Sequence, residues 1–176
     1  MRGTLILSHG FESGPDASKT VAMAAAAERR GWRCLRPDFR DLDRAGLAAA
    51  VAPRRQRLRQ LAAGVDGPLL LAGSSMGAFV SALVSCEVSC VGLFLLALPP
   101  GIPGCAQPFD AAAEVPLTLV HGFDDELCPL ELVLACARQR QARLLLVPDG
   151  HRLAAHVDWV ADQFGLFLDQ LDGERV

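Results

Sequence analysis

The chain has 176 residues, of which 51% are hydrophobic and 21% charged, and a formal net charge of −3. That size and apolar content suit a single domain over residues 1–176 with a full core, and exclude a mainly disordered chain. With 17 Lys and Arg against 20 Asp and Glu, the chain lacks the basic excess of a dedicated nucleic-acid binder.

Short apolar runs alternate with longer helical stretches, the pattern of a parallel α/β sheet. The first strand is expected at Thr4 to Ser8. After it, Pro15 and Asp16 are expected to open an Ala-rich helix that Gly31 closes. Further strands are expected at Trp32 to Leu35, Pro68 to Ala72, Val91 to Leu98, Pro116 to His121 and Ala142 to Val147. Most are apolar throughout, as strands covered on both faces should be. Leu153, Val157, Val160, Phe164, Leu168 and Leu171 step by three and four residues and mark one apolar stripe on a closing helix. The fold expected is a three-layer αβα sandwich with a mostly parallel six-stranded sheet and five helical segments.

The longest apolar run, Val91 to Leu98, is far short of the roughly 20 residues of a membrane span. MRGTLILSHG lacks the apolar stretch of a secretory signal, so a cytoplasmic protein is expected. The six cysteines, Cys34, Cys86, Cys90, Cys105, Cys128 and Cys136, form no CxxC and have no zinc-finger spacing to a histidine pair. No metal and no cofactor are expected.

Three segments interrupt the alternation, each directly after a strand: SHGFESG, GSSMG and HGFDDELCP, with PDGHR after the last strand as a fourth. In parallel α/β sheets the loops at the carboxyl ends of the strands form the binding crevice. Gly73, Ser74, Ser75, Met76 and Gly77 read G-x-S-x-G between strand and helix, the context of a strained turn that exposes the Ser75 hydroxyl. Serine is a weak nucleophile until a base accepts its proton. His151, between the last strand and the closing helix, is the best-placed base. His9 and His121 end strands before a glycine and read as partly buried rings satisfied by backbone, while His156 reads as a surface residue. The orienting carboxylate lies in the turn at Asp124 and Asp125, only one of which can point inward. The chain order Ser, Asp, His is that of elbow-type hydrolases.

These motifs resemble those of the α/β-hydrolase superfamily over nearly the whole chain. His121, Gly122, Asp125 and Pro129 fit the segment HGxxDxxxP that the superfamily often carries after its seventh strand, which favours Asp125. Gly150 and His151 match the Gly-His after its last strand. His9 and Gly10 match the start of its oxyanion loop, so the resemblance implies backbone N–H donors at Phe11 and Met76. It also implies a minimal fold that lacks the leading antiparallel strands and a cap domain, because only residues 99–115 join the fourth and fifth strands.

SHGFESGPDASK is most similar to small capless carboxylesterases and acyl thioesterases. The implied activity is hydrolysis of a small-molecule acyl ester or thioester by Ser75, Asp125 and His151. Pocket candidates are Phe11, Glu12, Met76, Ile102 and Cys105, with Cys128 behind the acid turn as an oxidation-sensitive neighbour. The rival reading is a non-catalytic domain of the same fold that binds a ligand or protein. The cluster Arg54, Arg55, Arg57 and Arg59 reads either as a phosphate or membrane contact or, preferably, as a solvated helix face.

Overall fold

The computed structural model describes residues 1–173. The apolar runs form strands β1 (Gly3–Ser8), β2 (Trp32–Leu35), β3 (Leu69–Ser74), β4 (Gly92–Leu96), β5 (Leu117–Gly122) and β6 (Arg143–Val147). They pair in the order β2-β1-β3-β4-β5-β6, and every pairing is parallel. The helices are α1 (Ser18–Glu28), α2 (Arg40–Asp43), α3 (Leu47–Ala63), α4 (Met76–Ser85), α5 (Leu130–Arg140) and α6 (Val157–Gly173). A 3-10 turn, Ala154–His156, precedes α6. The five helical segments expected are thus six α-helices and this turn.

Alternation within each strand divides the core in two. Ile6, Leu71, Leu95 and Leu119 pack with residues of α3, α4 and α5 on one face. Leu5, Leu7, Leu70, Phe94 and Val120 pack with residues of α1 and α6 on the other. Successive side chains of a strand point to opposite faces, so a continuous apolar run is what a sheet covered on both sides requires. The three-layer sandwich follows.

Two helix starts differ from expectation. Pro15 and Asp16 lie in a turn, and α1 begins at Ser18 behind Ala17, whose ψ of 138° is not helical. The closing helix begins at Val157, because Leu153 is left-handed with φ 49° and the chain makes the 3-10 turn first. Leu153 nevertheless joins the core that the α6 stripe covers.

No described helix is long and apolar enough to cross a membrane. The connection from β4 to β5 contains no helix, so nothing there builds a cap. The strand order reverses direction between β1 and β3, and at such a switch point the loops leaving adjacent strands diverge and open a crevice.

Candidate active site

Ser75 sits between β3 and α4 with φ 55° and ψ −124°. A non-glycine residue held there carries about 1–3 kcal/mol of strain, and its N–H bond to the Leu96 carbonyl at 2.9 Å helps to hold it. The flanking glycines are explained by contact. A Cβ on Gly73 would lie 2.5 Å from the Gly77 carbonyl carbon, and one on Gly77 would lie 2.1 Å from the Ser8 oxygen. Strand β1, strand β3 and helix α4 meet there with no room for a side chain.

His151 follows β6, and Asp125 follows β5. His151 Nδ1 lies 3.0 and 2.9 Å from the two carboxylate oxygens of Asp125, and its Nε2 lies 2.9 Å from Ser75 Oγ. A carboxylate only accepts, so Nδ1 carries the proton and Nε2 is free to accept from the Ser75 hydroxyl. The Asp125 side chain is fully buried and that of His151 is 12% exposed. Burial pushes the Asp125 pKa up, but hydrogen bonds from His151 and from the Cys128 and Leu127 N–H groups outweigh it and hold the carboxyl below its usual range. Asp124 is exposed.

His121 supports the acid turn from below. It is wholly buried, and its Nε2–H donates to the Cys128 carbonyl at 2.8 Å while lying 3.5 Å from Asp125 Oδ2. The expectation of two backbone-satisfied nitrogens holds for one only, since Nδ1 has no hydrogen-bond partner among the described residues. His9 is wholly buried too, with Nδ1 donating to the Gly10 carbonyl at 2.8 Å and Nε2 accepting from the Phe39 N–H at 2.9 Å. Burial lowers its pKa, in keeping with a neutral ring. His156 is half-buried rather than a free surface residue, because Asp149 holds its Nδ1 at 2.9 Å.

Ser75 and His151 open into a cleft of about 700 Å³. Phe11, Glu12, Met76 and Ile102 line it; Cys105 does not. Gly104, at φ 79°, turns the chain, and Cys105 packs half-buried against the core on the face covered by α3, α4 and α5. The lining also includes residues that the sequence alone does not single out, among them Lys19, Leu127 and Arg152. Lys19, whose pKa burial lowers to about 8, donates to the Arg152 carbonyl. Nothing in their local pattern separates them from ordinary loop and helix residues.

Asp125, Cys128 and His151 place one ligand-type atom each within 4.8 Å of one another. The donors of Asp125 and His151 face each other, and burial pushes the Cys128 thiol up to about 12, which disfavours the thiolate that a metal would need. The trio suits proton transfer better than metal binding.

The arginine cluster is not a uniform solvated face. Arg55 and Arg59 pair with Glu87, and Arg57 pairs with Asp41. Arg54 is fully buried against Asp43. The sequence did carry a sign of this: Arg54 shares the buried stripe of α3 with Ala50, Leu58 and Ala62 at four-residue steps.

Residues 1–158 match the model of a family described as alpha/beta hydrolase domain. A solved structure of a candidate hydrolase of the alpha/beta superfamily from Xanthomonas campestris pv. campestris is 48% identical, with a TM-score of 0.92 over 96% of this chain and 99% of that one. An alpha-beta serine hydrolase homologue from Coxiella burnetii is 22% identical (TM-score 0.74, 96% and 86% of the two chains). Est1E from Butyrivibrio proteoclasticus with ferulic acid bound is 18% identical (TM-score 0.77, 97% and 89%), a likeness of fold. No curated protein matches the chain.

Proposed function

The chain belongs to the alpha/beta hydrolase domain family, and we propose that it is a serine hydrolase cleaving a small carboxylic ester or thioester through an acyl-enzyme on Ser75. The observation that carries this reading is the hydrogen-bonded line from Ser75 Oγ through His151 to Asp125. Ser75 Oγ attacks the carbonyl carbon while His151 Nε2 takes its proton. Asp125 keeps the imidazole in the tautomer that can do so and stabilises the imidazolium. The imidazolium then gives its proton to the leaving alcohol or thiol, and water repeats the sequence to release the acid.

The oxyanion needs donors aimed where its charge develops. The Phe11 N–H has no hydrogen-bond partner among the described residues, and the Met76 N–H, first in α4, lacks an intrahelical acceptor. These are the two donors proposed. Phe11 and Ile102 supply apolar lining for the acyl or alcohol part, and Glu12, Lys19 and Arg152 are polar residues of the same cleft; the Met76 side chain is fully buried, so its part is the backbone N–H. A binding-only domain would have no use for a serine held in a strained turn against a correctly tautomerised imidazole.

The test is hydrolysis of short-chain p-nitrophenyl esters and of acyl thioesters by the wild type and by Ser75→Ala. Turnover of at least one class that disappears in the variant is expected. Turnover that survives the substitution would remove Ser75 from the chemistry.

A further inference from the structure

We infer that Arg54 is a positioning residue that sets the oxyanion donor at Phe11, an inference that rests on the serine-hydrolase reading. Its guanidinium is fully buried in α3 and joins three partners, one carboxylate and two backbone carbonyls. Nε and Nη2 donate to Asp43 Oδ1 and Oδ2 at 2.7 and 2.5 Å, while Nη1 donates to the His9 carbonyl at 2.7 Å and Nη2 to the Gly10 carbonyl at 3.2 Å. The Gly10 carbonyl also accepts from His9 Nδ1 at 2.8 Å. The His9 ring is fixed in turn by the Phe39 N–H, and Arg54 lies over the Phe39 ring at 5.0 Å.

The consequence follows from peptide geometry. There is no cis peptide bond among the described residues, so the Gly10 C=O and the Phe11 N–H of the same planar unit point in opposite directions. With the Gly10 carbonyl held by Arg54 and by His9 Nδ1, the N–H points the opposite way. The elbow approaches the loop closely, since a Cβ on Gly10 would lie 3.4 Å from Ser75 Cβ. Rotation of this one peptide would aim a carbonyl oxygen where the reaction needs a donor.

Stability alone does not account for such a pair. A buried ion pair is weak evidence of stabilisation, and well-packed apolar residues of similar volume often serve a fold as well. Only a planar fork can hold one carboxylate and two successive carbonyls together. Removing one partner would leave an uncompensated buried charge, so the main variant is the double replacement Arg54→Met with Asp43→Leu.

Steady-state kinetics on a p-nitrophenyl ester and the affinity of a trifluoromethyl ketone, which forms a hemiketal oxyanion on serine, are measured beside circular dichroism and the thermal midpoint. In the folded double variant kcat falls about 10–100-fold, the scale of a misplaced donor. KM stays within about threefold, the pattern of an interaction made only in the transition state, and ketone affinity drops in parallel with kcat. Arg54→Lys, which keeps the charge without the fork, falls between, and it decides the matter alone if the double variant does not fold. Unchanged kcat and ketone affinity in a folded variant would overturn the role of Arg54 and leave the hydrolase reading standing. A wild type that neither turns over ester nor binds the ketone would remove both.

Discussion

Asp125 and Asp124 are neighbours with different surroundings, and the difference sets their expected roles. Asp125 is buried and accepts from His151, Leu127 and Cys128, whereas Asp124 faces solvent. Asp125→Asn should lower kcat by about 10⁴-fold, because the amide presents a donor to Nδ1 and favours the wrong tautomer. Asp124→Asn should leave kcat near wild type. The same carboxylate couples stability to pH. Its folded pKa lies below the unfolded value of about 3.9, so its contribution is present above that value and is lost as pH falls through the folded one. The thermal midpoint of the wild type should exceed that of Asp125→Asn from neutral pH down to about pH 5, and the gap should close below about pH 4. The oxidation-sensitive reading of Cys128 leads to a prediction. With its thiol pushed up to about 12 by burial and by the charges of Asp125 and Glu126, Cys128 holds little of the thiolate that peroxide attacks. Mild peroxide should leave the turnover of the proposed ester substrates unchanged, and loss of turnover that Cys128→Ser prevents would support the oxidation-sensitive reading.

At the scale of elements, close approach of backbones explains why the elbow tolerates only glycine at Gly77. Gly77→Ala would drive a methyl into the Ser8 carbonyl, which belongs to strand backbone and cannot yield. The cost should reach or exceed the roughly 1–3 kcal/mol typical of overpacking, seen as a lower denaturation midpoint, with loss of turnover as the elbow shifts. Gly64→Ala, at the end of α3 with only ordinary contacts near 3.6 Å, should cost nothing measurable. The strands were legible because most face two apolar layers and read as apolar runs, with ends displaced by a residue or two; the edge strands β2 and β6, with Arg33 and Arg143 exposed, are the weaker cases. The start of α1 was not, because Pro15 suits a turn as well as a first helical position. Arg54 was legible only as a conflict, a charge on the apolar stripe of α3. Its partner Asp43 lies 11 residues away, and no local pattern predicts that meeting.

For the molecule as a whole, the parallel order of the strands collects the chemistry at one edge. Ser75, Asp125, His151 and the His9-Gly10-Phe11 loop each follow a strand, so four separate motifs become one site. That much could be read from motif order and chain direction. The cleft wall could not, since Cys105 is absent from the lining while Lys19, at the start of α1, and Arg152, in the turn after His151, belong to it, and no periodicity encodes that meeting. The core should be separable from the site: Phe94 is fully buried against Phe164 and Phe167, at ring-centroid distances of 5.0 and 5.5 Å. Phe94→Ala should lower unfolding stability by about 3–5 kcal/mol while the folded fraction keeps its turnover. The most direct test of the whole account is intact-mass analysis after treatment with a fluorophosphonate, comparing wild type with Ser75→Ala. One stoichiometric adduct is expected on the wild type and none on the variant. A folded wild type that takes up no probe would contradict an activated serine and leave a hydrolase fold that only binds.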